Sequence, residues 1–162
     1  MSNAQTSGGS SRGQQATLIM IRLVWAALLP GQVFFGLTVI AIGVPQSGGK
    51  PLLGTGTAAL AWKIGLGVWV VLTAAGYISR SQIYKRSWKK HSVTVGGYFI
   101  GNLVLWALME IPFFVSVVDV FATGHLFPGA LPALLAIGVM LVNFPTGGPL
   151  QPHPPVFDEP AR

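Results

Sequence analysis

The chain is expected to fold as an all-α integral membrane protein, a four-helix bundle, on three observations. Of its 162 residues 51% are hydrophobic and only 9% charged, with a mean hydropathy of +0.61, whereas a soluble domain carries about 25% charged residues. The apolar residues gather into four long runs separated by stretches rich in Gly, Pro or charge. Five of the ten Lys and Arg residues, Arg80, Lys85, Arg86, Lys89 and Lys90, fall between the second and third runs with no acid among them, the pattern that marks a cytoplasmic loop.

Residues 1–16, MSNAQTSGGSSRGQQA, lack apolar periodicity and read as a disordered arm. The first span covers about 17–44. Arg22 near its start can reach the interface, and Pro30 and Gln32 interrupt it halfway. Its apolar run from Leu23 to Ile42 exceeds the 7 to 15 residues of a signal-peptide core, so a retained helix is expected. A Gly- and Pro-rich linker follows. Its Gly48-Gly49-Lys50-Pro51 lacks the order of a phosphate-binding loop. The second span, about 58–79, carries Lys63 near one end and Gly65, Gly67 and Gly76 along its length, small residues that let helices approach closely.

The basic stretch Arg80 to His91 then leads into the third span, about 97–121. At roughly 1.5 Å per residue, about 24 residues cover the roughly 30 Å hydrocarbon core, which puts Glu110 at mid-depth. A charged acid there costs about 2.5 to 3.5 kcal/mol, so the side chain is expected to be protonated, paired or turned inward to a polar cavity. Glu110 is therefore the candidate proton- or ion-binding residue. Asn102 on the same helix and Gln32 on the first are the candidate supporting polar groups. A structural role as a neutral interhelical hydrogen-bonding group is the competing reading.

The fourth span, about 129–144, is near the lower length limit for a crossing, with Pro132 in its first turn. Residues 145–162 hold a cluster of prolines and read as an extended, disordered tail. Four crossings with the basic loop inside place both termini in the cytoplasm and the protein in the cell (inner) membrane. Asp119 and Lys63 then lie near the outer ends of their helices as a candidate interfacial pair. An offset of about 80 aligns Leu23, Ala27, Leu28 and Phe34 with Leu103, Ala107, Leu108 and Phe114, which allows two duplicated helical hairpins.

Little in the sequence suggests an enzyme. There are no cysteines, and the three histidines are scattered without metal-ligand spacing, so no metal or cofactor is expected. No nucleophile elbow is present. The net charge of +6 is concentrated in one connection with no soluble domain to present it, so nucleic acid is not an expected partner. The bilayer itself is, with a second copy or another membrane protein as further candidates. The basic residues either hold anionic lipid or a soluble partner, or serve only to fix orientation.

The segment Ala107-Leu108-Met109-Glu110-Ile111-Pro112-Phe113-Phe114 resembles the Ala-Leu-x-Glu segment of the rotary ATP synthase c subunit and its V-type proteolipid relatives. In that family a mid-membrane carboxylate binds the translocated proton or sodium ion. The resemblance covers mainly the third span, and it implies an ion-binding role for Glu110 alone.

Overall fold

The computed structural model describes residues 8–46, 55–89 and 91–151. The chain is helical, with four α-helices, α1 (Gly8–Gln46), α2 (Thr55–Arg86), α3 (Val95–Thr123) and α4 (Leu131–Val142), and a two-residue hairpin, β1 (Trp88–Lys89) and β2 (Ser92–Val93). Three of the helices are long and apolar enough to cross a membrane, over Gln15–Ile42, Leu60–Arg86 and Val95–Thr123. Their exposed side chains include Leu23, Phe34, Leu37, Val71 and Val118. An apolar surface of this extent fits helices of a length and composition able to cross a membrane.

Helix α1 begins at Gly8, so residues 8–16, expected as disordered arm, are helical; residues 1–7 lie outside the described residues. Once the apolar run has nucleated a helix, each added residue gains a hydrogen bond for one residue fixed, and Thr17 Oγ1 donates to the Gly13 carbonyl at 3.0 Å in this turn. The helix continues through Pro30.

Helix α2 likewise outruns its apolar stretch. Arg80, Lys85 and Arg86, expected in a loop, sit on its last two turns. Gln, Lys and Arg are good helix formers, and cations suit the negative end of the helix dipole. Hydropathy marks where a helix leaves the apolar layer, which is earlier than where it ends. The connection to α3 is correspondingly short. Thr94 N donates to the Ser87 carbonyl at 2.9 Å, and His91 adopts a left-handed φ of 64° at the tip. Lys90 lies outside the described residues. The hairpin folds tightly against the start of α3, where a Cβ on Gly97 would collide with Ser87.

Helix α3 is the centre of the bundle. Thr94 caps it by accepting from Gly97 N at 3.3 Å, and it ends at Gly124, whose φ of 68° is left-handed and whose N–H reaches the Val120 carbonyl. It runs through a fully buried Pro112. In its apolar window 44% of residues are buried, against 11% in α1 and in α2. Helix α2 packs antiparallel along it: Gly101 lies against Tyr84, Gly76 against Leu105, and Gly65 against Val115 and Pro132 of α4. Helix α1 packs on α3 through Gly36 against Phe113 and the edge-on ring pair Phe35 and Phe114. The main helix contacts are α2 with α3, α3 with α4, α1 with α3 and α2 with α4. The expected first hairpin of α1 on α2 is not among them, because α3 takes up the packing face of each.

The fourth segment is shorter than expected. Helix α4 has 12 residues, about 18 Å, too little for the roughly 30 Å core. Residues 143–147 continue the path in non-helical form toward the hairpin end, advancing up to about 3.3 Å each. Their polar groups meet side chains of other helices: Arg22 Nε donates to the Pro145 carbonyl at 3.2 Å, and Gly147 N donates to Tyr98 Oη at 3.1 Å. Irregular backbone buried in protein with its groups so satisfied is compatible with membrane depth. The expected tail therefore starts as structure. Pro145, Gly147 and Leu150 are buried, and Gly148–Leu150 forms a 3₁₀ turn. Residues 152–162 lie outside the described residues.

Candidate functional site

Glu110 lies on the α1-facing side of α3. It is three and four residues from Phe113 and Phe114, which meet α1, so it shares their face one turn closer to the hairpin end. Both helices run away from that end, since Leu18 and Tyr98 both touch Gly147 there. One turn back from the Gly36 and Phe113 contact brings Gln32 to the depth of Met109 and Glu110. The seam thus holds a carboxylate and an amide at one level.

Neither is satisfied. Gln32 is 6% exposed, and its Oε1 and Nε2 have no partner. Glu110 is partly buried and forms no hydrogen bond or ion pair among the described residues. Its neighbours Leu103, Ile111 and Phe114 are exposed, so the carboxylate sits at the rim of the seam. Trp106 and Trp69 bring further unpaired Nε1 donors to this region of the bundle. Trp106 is one turn from Glu110, and Trp69 is one turn from Thr73, whose Oγ1 donates to Met109 Sδ at 3.6 Å. Such groups are expensive to leave unpaired in a low-dielectric interior.

Asn102 does not join Glu110. It is fully buried, and its Nδ2 donates to the Tyr98 carbonyl at 2.7 Å and to Tyr84 Oη at 3.0 Å, two turns nearer the hairpin. A backbone carbonyl four residues back holds it in its own turn. Lys63 and Asp119 are not joined by a hydrogen bond or ion pair either. Lys63 is exposed, with Nζ 5.8 Å from the Trp62 ring centroid. Asp119 is 7% exposed with Oδ1 unpartnered and Oδ2 beside Gly129.

The most connected polar cluster was not anticipated from the sequence. Asn143, just past α4, is bonded three ways: Oδ1 accepts from Arg80 Nη1, while Nδ2 donates to Tyr77 Oη at 2.6 Å and to the Val139 carbonyl at 2.8 Å. Arg80 Nε donates to Tyr84 Oη at 3.0 Å, and the guanidinium stacks over that ring at 5.2 Å. Trp25 Nε1 donates to the Met140 carbonyl at 3.0 Å. These bonds, with those of Arg22 and Tyr98, tie all four helices together at the hairpin end. Tyr77, Arg80, Ser81, Tyr84, Lys85 and Trp88 also line an open groove of about 520 Å³ there. The spacing of the five on α2, Tyr77 to Lys85, is three and four residues, the signal that marks one helical face.

Comparison with known proteins yields no match: no family model, curated protein or solved structure is similar to the chain. The resemblance to proteolipids thus rests on residues 107–114 alone.

Proposed function

We propose that this protein is a small integral membrane component without enzymatic chemistry, proteolipid-like in carrying at mid-depth a carboxylate, Glu110, that exchanges a proton or small cation. The observation that supports this reading is the pairing in depth of Glu110 with Gln32 in the α1 and α3 seam, both without partners among the described residues. A carboxyl group at the rim of a seam is not sealed inside the bundle, and an amide can both donate to and accept from an occupant of the seam. Burial of an unpaired amide is costly unless something fills the site.

A hydrophobic carbodiimide tests it. Labelling at Glu110 is expected to speed up as pH falls, to be slowed by the competing cation, and to vanish in Glu110→Gln with the fold unchanged by circular dichroism. A rate indifferent to both pH and cations refutes the reading.

A second reading is favoured by the cluster around Asn143. In it the protein is an accessory or structural component whose helices pack through Gly76 and Gly101 and whose basic end, Arg80, Lys85, Arg86 and Lys89, lies on the cytoplasmic side against anionic lipid. Both termini are then cytoplasmic. Because the chain has no cysteine, single cysteines at position 89 and in the termini report sidedness with an impermeant maleimide. Labelling of position 89 from the outer side only overturns this topology.

A further inference from the structure

We propose that the groove lined by Tyr77, Arg80, Ser81, Tyr84, Lys85 and Trp88 binds a phosphate group, in the form carried by an anionic phospholipid headgroup. The inference rests on the reading that the basic end lies at the membrane surface, and it narrows a diffuse attraction to one site.

The first support is the donor inventory. The groove residues include two cations and three hydroxyls and no carboxylate. Tyr84 Oη already accepts from Arg80 Nε and from Asn102 Nδ2 at 3.0 Å each. A phenol oxygen has two lone pairs and one proton, so its own proton must be donated, and no acceptor takes it among the described residues. Tyr77 Oη accepts from Asn143 Nδ2 at 2.6 Å, and no acceptor among the described residues takes its own proton. Two hydroxyl protons and the remaining guanidinium hydrogens of Arg80 thus lie beside Lys85 among groove residues that include no carboxylate to compete for them. Phosphate oxygens are acceptors only and carry the opposite charge.

The second support is preorganisation. Arg80 is held by Asn143, by Tyr84 Oη and by the face of the Tyr84 ring, so its planar fork is already oriented and less freedom is lost on binding. The third is position. The groove lies on the last turns of α2, where the helix runs past its apolar stretch. Tyr and Trp concentrate at this level in membrane proteins, and the exposed Trp88 lies at one edge.

The test uses the full-length chain in detergent, titrated with phosphatidylglycerol or phosphatidylcholine and read by native mass spectrometry. The expected result is preferential binding of phosphatidylglycerol, with Lys85→Gln weakening it about fivefold, the worth of one cation beside an anionic surface, and Tyr77→Phe weakening it further. Lys89→Gln is the control, since Lys89 is exposed on the hairpin but does not line the groove. Equal losses from Lys85→Gln and Lys89→Gln, or no preference between the lipids, overturn the proposal. Arg80→Ala and Tyr77→Phe each also remove a bond to Asn143, so neither is read without Lys85→Gln, which breaks no such bond. Displacement of the lipid by millimolar inorganic phosphate, with the same dependence on Lys85, supports the site but assigns it to the free anion. Sidedness labelling at position 89 separates the two failures: an inward hairpin without lipid preference sinks the groove alone, and an outward hairpin with intact preference sinks only the topology.

Discussion

Replacing Gly101 by alanine isolates the packing energy of the α2 and α3 seam. A Cβ at this position falls 2.5 Å from Tyr84 Cε1 and 3.0 Å from Cδ1, well inside carbon contact distance, and a ring edge cannot swing aside as a flexible chain end does. Overpacking of this kind costs about 1 to 3 kcal/mol, opposed by a gain of up to about 1 kcal/mol in helix propensity. Gly67→Ala removes the ambiguity. Gly67 is also in a helix interior, with nothing within 4 Å of its added Cβ. The difference between the two variants cancels propensity and leaves about 1 to 3 kcal/mol of packing. The assay is unfolding by sodium dodecyl sulfate in mixed micelles, followed by near-ultraviolet circular dichroism. Truncating Tyr84 to alanine should cost less in the Gly101→Ala background than in the unaltered protein, because the two sites are in contact and therefore non-additive. Equal midpoints for Gly101→Ala and Gly67→Ala would falsify the close approach of these helices.

The other predictions concern polar groups and are read by the same unfolding assay. A double-mutant cycle of Arg80→Met and Asn143→Ala should show a coupling of about 1.5 to 3 kcal/mol, as for a hydrogen bond to a charged group; additive effects would mean the pair is not bonded. Thr94→Ala removes the α3 cap to Gly97 N and should cost about 1 kcal/mol, detectable as a lower unfolding midpoint. Gln32→Leu replaces an amide with two unpaired buried atoms and should stabilise the protein by about 1 to 3 kcal/mol while changing the carbodiimide rate at Glu110. Destabilisation instead would mean that Gln32 has a partner.

Some of this was legible in the residues. The long apolar runs around Leu23, Val70 and Leu103 fix three helices, and α3 spans Val95–Thr123 where about 97–121 was expected. The ends were less legible. Arg80, Lys85 and Arg86 looked like loop because hydropathy tracks the surrounding medium, whereas their backbone follows helix propensity and the dipole. The segment around Pro145 and Leu150 looked like tail because prolines exclude regular structure without excluding burial. Asn102 looked available to Glu110 only while the carbonyl of Tyr98 and the hydroxyl of Tyr84 were out of view.

The sequence by itself determined the apolar composition of the long runs, the helical character and the clustering of positive charge at one end of the hairpin between α2 and α3, since each follows from composition and local order. Only the tertiary structure decided that α3 is central, that Gln32 is buried with its amide unpartnered, and that Arg80 meets Asn143 across 63 residues while Arg22 meets Pro145 across 123. A hydrogen bond needs two atoms within about 3 Å, and helix register sets that distance. Along apolar helices many residues offer interchangeable packing, so the register is chosen by the few glycines and rings that fit only one way.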